Sequence, residues 1–239
     1  MIYVLSDIHG NKRRFNSVLE QINLQPTDTL YILGDVIDRH PDGIRILREI
    51  MAMPNAKMLL GNHELMMLNA LGYAHGNDVS PDPYALETLK YLWYHNGGEV
   101  THKQFNALDS KQQTEVIEFL QNLPLSADIT VNGTRYKLVH AAPLEEYLDD
   151  HEHDNVTEFA VWKRWRHPNI AHRDYTLVFG HSTTEHYQDI LPMEPWYGNN
   201  CIGIDCGSGY PESPYYRNTG RLACLRLDSQ TVFYSNEII

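Results

Sequence analysis

Gly34-Asp35-Val36-Ile37-Asp38-Arg39 follows the apolar run Leu30-Tyr31-Ile32-Leu33. The run reads as a buried strand that enters a glycine turn. Two carboxylates and a guanidinium then stand between positions 35 and 39, just past the carboxyl end of that strand. In open α/β sheets this is where ligands bind. Asp35 offers two oxygens to two cations at once, Asp38 can orient a histidine, and Arg39 presents a planar fork of donors that fits a phosphate.

Four other apolar runs end in the same way. Ile2-Tyr3-Val4-Leu5 leads into Ser6-Asp7-Ile8-His9-Gly10, and Met58-Leu59-Leu60 into Gly61-Asn62-His63-Glu64. Tyr136-Lys137-Leu138-Val139 leads into His140-Ala141-Ala142, and Leu177-Val178-Phe179 into Gly180-His181. Each strand end delivers a metal-ligand or acid/base side chain.

Between these ends the pattern turns helical. Asn11 to Ile22 spaces Phe15, Val18, Leu19 and Ile22 on one face, with Asn11 as the N-cap. Pro41 to Met53 turns Ile44, Leu47 and Ile50 inward. With strands at 28–33 and 56–60 this makes two βαβ units. A helix over Glu64 to Leu71 starts straight from the Gly61-Asn62-His63 turn. From about 72 to 125 strand signals stop, and helices at about 83–95 and 111–122, broken by Gly97-Gly98, read as a helical insertion in a single domain spanning 1–239. Strands return at 127–132 and 134–139 around Asn132-Gly133, a hairpin signal. Residues 145–155 read as an acidic loop and 156–166 as a helix; further strands are expected at 176–179, 201–205, 221–227 and 231–235, and a long surface loop over 192–219.

The totals narrow the class. A chain of 239 residues is long enough for one full core and short for two. No apolar run approaches the roughly 20 residues that span a bilayer, and the apolar run Met1 to Leu5 ends at Asp7 as a strand rather than a signal peptide. Three cysteines make no disulfide framework and fit a reducing, cytoplasmic setting. A formal charge of −12 argues against duplex nucleic acid, whose nonspecific binding rests on neutralising phosphates. Two bound divalent cations would reverse that charge locally, where an anionic substrate sits. Of the 13 histidines, His9, His63, His140 and His181 are the candidates for the site.

The ordered set Asp-x-His-Gly, Gly-Asp-x-x-Asp-Arg, Gly-Asn-His-Glu, strand-end His and Gly-His, running from Asp7 to His181, resembles the calcineurin-like metallophosphoesterases. More narrowly it is similar to the phosphoprotein phosphatase branch with its bacterial and phage serine/threonine phosphatases. The resemblance implies an α/β fold: two mixed β-sheets packed as a sandwich with helices outside. It implies two divalent metals, with Asp7 and His9 on the first, Asp35 bridging, and Asn62, His140 and His181 on the second. Oxygen and imidazole donors without thiolate suit manganese, iron or zinc, and manganese is the expected ion. The implied mechanism is direct attack by hydroxide activated at the metal pair. Arg39 steadies the phosphoryl oxygens, His63 protonates the departing alkoxide, and Asp38 orients His63. A second arginine is usual in a Trp-x-Arg element; Trp162-Lys163-Arg164 points to Arg164, with Arg166 as the lesser candidate. Two positions depart from the pattern: His40 and Ala142 stand where glycine is usual. His40 either narrows the mouth near Arg39 or faces solvent.

Plainer readings stand beside these. Arg164 could be a surface arginine on a helix, and His151-x-His153, among Asp149, Asp150, Glu152 and Asp154, reads as a solvated loop. Cys201 and Cys206 read as packed thiols. Trp196, Tyr197, Tyr210, Tyr215 and Tyr216 form either a wall beside the site or a self-packed loop, the latter slightly favoured. Four functions are weighed. A serine/threonine phosphatase, acting on a phosphoprotein or a small phosphoester, is the leading one. A hydrolase of diadenosine tetraphosphate would use the same ligands with a different pocket. A non-catalytic scaffold would have lost ligands that are all present here. A cyclic-nucleotide phosphodiesterase fits less well, because Thr183 stands where that branch has a second histidine.

Overall fold

A strand buried on both faces must divide its side chains between two cores, because successive residues point opposite ways. In β1 (Ile2–Leu5), Tyr3 and Leu5 enter one core and Val4 another. The computed structural model describes residues 1–166, 173–210 and 220–236. After β1 come α1 (Lys12–Ile22), β2 (Thr29–Ile32), α2 (Gly43–Ala52), β3 (Ala56–Met58) and α3 (Asn62–Ala70). The chain continues through α4 (Leu86–His95), α5 (Glu99–Asn106), α6 (Ser110–Gln121), β4 (Ser126–Val131), β5 (Thr134–Val139) and α7 (Val156–Trp162). It ends with β6 (Thr176–Phe179), β7 (Trp196–Gly198), β8 (Cys201–Gly203), β9 (Ala223–Arg226) and β10 (Thr231–Tyr234).

Two five-stranded sheets result, ordered β10-β9-β1-β2-β3 and β4-β5-β6-β8-β7. They pack face to face through a shared core of Val4 and Tyr31 from the first sheet and Tyr136, Leu138, Val178 and Ile202 from the second. Helices cover the outer face of the first sheet: Phe15 and Val18 of α1 and Ile46 and Leu47 of α2 join Tyr3, Leu5, Leu30 and Ile32. Each such fully buried side chain contributes about 1.5–3 kcal/mol. Both sheets are mixed. β1, β2 and β3 are parallel, as are β5, β6 and β8, while β9, β10, β4 and β7 pair antiparallel at the margins. The α/β sandwich expected from the resemblance is the observed fold.

Asn11 caps α1, its side chain accepting from the Arg14 N–H at 3.1 Å. Asn132 and Gly133 both take positive φ, 49° and 82°, as a tight turn between β4 and β5 requires. Other boundaries differ from the sequence reading for identifiable reasons. β3 stops at Met58 because the N–H of Leu60 turns away to the Pro124 carbonyl at 3.0 Å. A further helix, α5, follows Gly97-Gly98; its apolar signal is thin, since Thr101 and Phe105 alone are buried. α7 ends at Trp162, because Lys163 adopts ψ 128°, so Arg164 stands on a loop rather than a helix. Leu144–Asp149 forms a 3-10 helix within the stretch read as an acidic loop. The long loop expected over 192–219 contains β7, which pairs antiparallel with β8; residues 211–219, with Tyr215 and Tyr216, lie outside the described residues. No described helix is long and apolar enough to cross a membrane.

Candidate active site

The parallel strands of both sheets present their carboxyl ends to one place. β1 delivers Asp7 and His9, β2 Asp35, β3 Asn62 and His63, β5 His140 and β6 His181. All seven are buried. The turns are tight enough that Asp7, His9, Asp35, Asp38, Arg39 and His181 take φ between 50° and 71°. Left-handed backbone at non-glycine residues is strained and persists where the surroundings over-determine it.

The outer nitrogen of each of three imidazoles is engaged by a backbone carbonyl. His9 Nδ1 faces Ile37 O at 3.3 Å, His140 Nδ1 faces Leu33 O at 2.7 Å and His181 Nε2 faces Trp162 O at 3.2 Å. A carbonyl accepts only, so it assigns the proton to that nitrogen and leaves a lone pair on the inner one. The inner nitrogens of His140 and His181 face Asn62 Oδ1 at 2.9 and 2.8 Å. His9 Nε2 lies 3.8 Å from Asp7 Oδ1 and 3.7 Å from Asp35 Oδ2, and His140 Nε2 lies 3.6 Å from Asp35 Oδ1. Asp7 Oδ1 is buried with no hydrogen-bond partner. The centre is thus ringed by acceptors turned toward one another, which cations would satisfy. Two groups with donor atoms within 4.8 Å of one another share Asp35: His9, Asp35 and His63, and Asp35, His140 and His181. The oxygen-and-imidazole donor set fits two divalent cations.

Burial lowers the affinity of His9 and His181 for a proton well below the ordinary histidine range, helped by Arg39 and His140 respectively. Burial pushes the Asp7 carboxyl up, reinforced by Asp35. Asp35 is also pushed up by burial, but His140 and His63 outweigh this and hold it ionised. For His63 burial favours the neutral ring, yet Asp35 and Asp38 prevail and raise it. Its Nδ1 sits 2.7 Å from Asp38 Oδ2, and its Nε2 faces Arg39 Nη2 at 3.3 Å.

A cavity of about 250 Å³ opens over this cluster. Arg39 and Arg164, both exposed, stand on its rim. The loop after α7 carries Arg164 there, with Nη1 donating to His181 O and Ser182 Oγ at 3.3 Å each. Arg166 and His40 do not line the cavity; His40 lies on a neighbouring depression with Gly10 and Pro41. Ala142 needs no glycine, since it keeps a negative φ and, like Ala141, donates to Ala160 O at 3.1 Å.

Three contributors escaped the sequence reading. Glu64, fully buried, accepts from the backbone N–H groups of Asp35 (2.8 Å), Val36 (2.9 Å), Ile37 (3.3 Å) and Gly61 (3.1 Å). It holds the Asp35 loop against the start of α3, and burial together with Asp35 pushes its carboxyl up to about 7. A Cβ at Gly61 would overlap Asp35 Oδ1 and Glu64 Oε2, so glycine is required by close approach. Glu64→Gln turns an amide toward N–H donors; we expect it to cost about 2 kcal/mol of stability, read as a lower urea midpoint in metal-free protein. An unchanged midpoint would contradict this role. Asp205 follows β8 as Asp7 follows β1; it is buried, lines the cavity and is pushed well above the carboxylate range by burial and Asp7. The signal was Ile202-Gly203-Ile204 running into Asp205-Cys206-Gly207. Asn96, from the loop after α4, also reaches the cavity.

Two stretches outside the cluster are also resolved. The stretch around His151 is an exposed loop, as read, within which the Asp150 side chain is buried and accepts from Lys163 Nζ (3.0 Å), His153 Nδ1 (2.9 Å) and the N–H of Glu152 (3.1 Å). Cys201 and Cys206 are thiols within apolar clusters, and neither belongs to a possible metal-binding group found among the described residues. Trp196 packs on Tyr187, 4.8 Å between ring centroids, on the outer face of the second sheet and away from the cavity.

The calcineurin-like phosphoesterase model matches residues 1–225. Serine/threonine-protein phosphatase 2 of Escherichia coli is 33% identical over 237 residues, covering 95% of this chain and 92% of the relative. A symmetrical bis(5'-nucleosyl)-tetraphosphatase from an Acidovorax species is 29% identical over 148 residues, 61% of this chain and 45% of the relative. Among solved structures, a metallophosphoesterase from Sphaerobacter thermophilus aligns with a TM-score of 0.53 at 18% identity, over 98% of this chain and 86% of that one, which supports the fold. On the match of its whole motif-bearing length, the chain belongs to the calcineurin-like phosphoesterase family.

Proposed function

We propose that the protein hydrolyses phosphomonoesters on serine and threonine side chains of proteins. The observation that carries this reading is the cavity itself: about 250 Å³, polar, with two arginine heads on its rim. That size suits a phosphoryl group on a small side chain better than a dinucleotide. Of the described aromatics read as a wall or a self-packed loop, Trp196 packs on Tyr187 away from the cavity, while Tyr210 lines it with its hydroxyl donating to Glu185. The near full-length similarity to the E. coli serine/threonine phosphatase supports the same choice.

In this reading Asp7 and His9 hold one divalent cation, Asn62, His140 and His181 a second, and Asp35 both; manganese is the ion proposed. When bound, such a pair supplies an activated water and draws charge from the phosphoryl oxygens. Arg39 and Arg164 grip the oxygens that point out of the cavity, which fixes phosphorus for in-line displacement. His63, its Nδ1 held by Asp38 at 2.7 Å, gives a proton from Nε2 to the departing serine or threonine oxygen. Asp38 keeps the Nδ1 proton and so fixes the ring plane.

A dinucleoside tetraphosphatase is the second reading, favoured by the partial similarity to the Acidovorax enzyme. Steady-state hydrolysis of a phosphoserine peptide and of diadenosine tetraphosphate, side by side with manganese, separates the two. We expect the peptide to be preferred by about tenfold or more in kcat/KM, which is 1.4 kcal/mol of transition-state binding. The reverse preference would assign the protein to dinucleotides.

A further inference from the structure

Asp38 is fully buried and is held by more than its histidine. The indole N–H of Trp93, also fully buried, donates to Asp38 Oδ2 at 2.9 Å and Oδ1 at 3.2 Å. The Asp38 N–H donates to Thr101 Oγ1 at 2.9 Å, and the Arg39 N–H to Gly97 O at 3.1 Å. Trp93 lies on α4, Thr101 on α5 and Gly97 at the corner between them. One helical corner therefore grips both residues of the Asp38-Arg39 turn, whose φ values are 71° and 68°. The indole is wedged from behind: a Cβ at Gly98 would overlap its Cδ1 and Nε1.

A carboxylate with a single partner is free to rotate about its bond to Cβ, and the imidazole it orients turns with it. A second donor that reaches both oxygens removes that freedom. We infer that Trp93 is a positioning residue for the reaction: its indole N–H fixes the plane of the Asp38 carboxylate and thereby aims His63 Nε2 at the leaving-group oxygen. The inference rests on the general-acid role proposed for His63. Filling of the core alone would be met equally well by phenylalanine, so the N–H is what must be tested.

The leaving group provides the readout. A serine alkoxide needs a proton as the P–O bond breaks, whereas p-nitrophenolate departs as a stabilised anion and gains little from one. Wild-type, Trp93→Phe and His63→Asn proteins, each loaded with manganese, are assayed for kcat on a phosphoserine peptide and on p-nitrophenyl phosphate. For Trp93→Phe we expect kcat on the peptide to fall about tenfold, with p-nitrophenyl phosphate falling by no more than about threefold and KM little changed. The ratio of the two activities does not depend on what fraction of a sample is folded. Gly98→Ala, which pushes the same indole from its other side, should shift the ratio in the same direction. Equal losses on both substrates, or none, in Trp93→Phe while His63→Asn discriminates would overturn the role of Trp93 and leave that of His63 standing. Failure of His63→Asn to discriminate would overturn the general-acid reading and this inference with it.

Discussion

His63→Asn is expected to keep its metals and lose turnover of a phosphoserine peptide by about 10²–10⁴-fold, the usual contribution of a general acid. Asparagine has no proton of suitable acidity to give, and the leaving alkoxide must then depart unprotonated. The ring sits 1% exposed, so bulk water has poor access as a substitute acid. The metals should remain because His63 Nδ1 is committed to Asp38 and because Asp7, His9, Asp35, Asn62, His140 and His181 are untouched. The check is kcat beside metal content of the same sample. Wild-type-like turnover would remove His63 from the acid role; loss of metal would make it a ligand, as its place in one of the two donor groups allows.

A larger effect is expected from Asp35→Asn, with both metal occupancy and turnover lost and activity down by about 10⁴-fold or more. Asp35 is the residue common to the two donor groups. Its Oδ2 faces His9 and His63, while its Oδ1 faces His140 and accepts the His63 N–H at 3.0 Å. An amide has one oxygen and no charge, so it cannot bridge two cations while keeping that hydrogen bond. The fold should survive, because Asp35 reinforces the unfavourable burial of Asp7 and Glu64, and removing its charge relieves both. Loss of metal with an unaltered melting curve without metal is therefore the expected pattern.

The strand ends were readable because two local rules coincide there. Short apolar runs mark the strands, and the turns after them, with glycine beside Asp35, Asn62 and His181, leave little freedom for the side chains that follow. Glu64 and Trp93 were not readable. Glu64 acts on backbone groups 27 to 29 positions away, and Trp93 on a carboxylate 55 positions away. Nothing local distinguishes such residues from an N-terminal helix charge or a core aromatic. Asp205 lay between these cases: its strand-end pattern was present, but β8 has only three residues and its sequence merged into a stretch rich in glycine and aromatics. Arg164 was found by its motif but placed on a helix, because a helix signal cannot show that the Lys163 backbone turns extended and swings the next side chain to the cavity.

Stripping the purified protein with a chelator, then titrating manganese by calorimetry while following turnover of a phosphoserine peptide, tests the proposed two-cation site most directly. The expected result is two equivalents bound per chain, turnover absent before addition and restored as both fill, and neither signal in Asp35→Asn. Full turnover in the chelator-treated protein would contradict it.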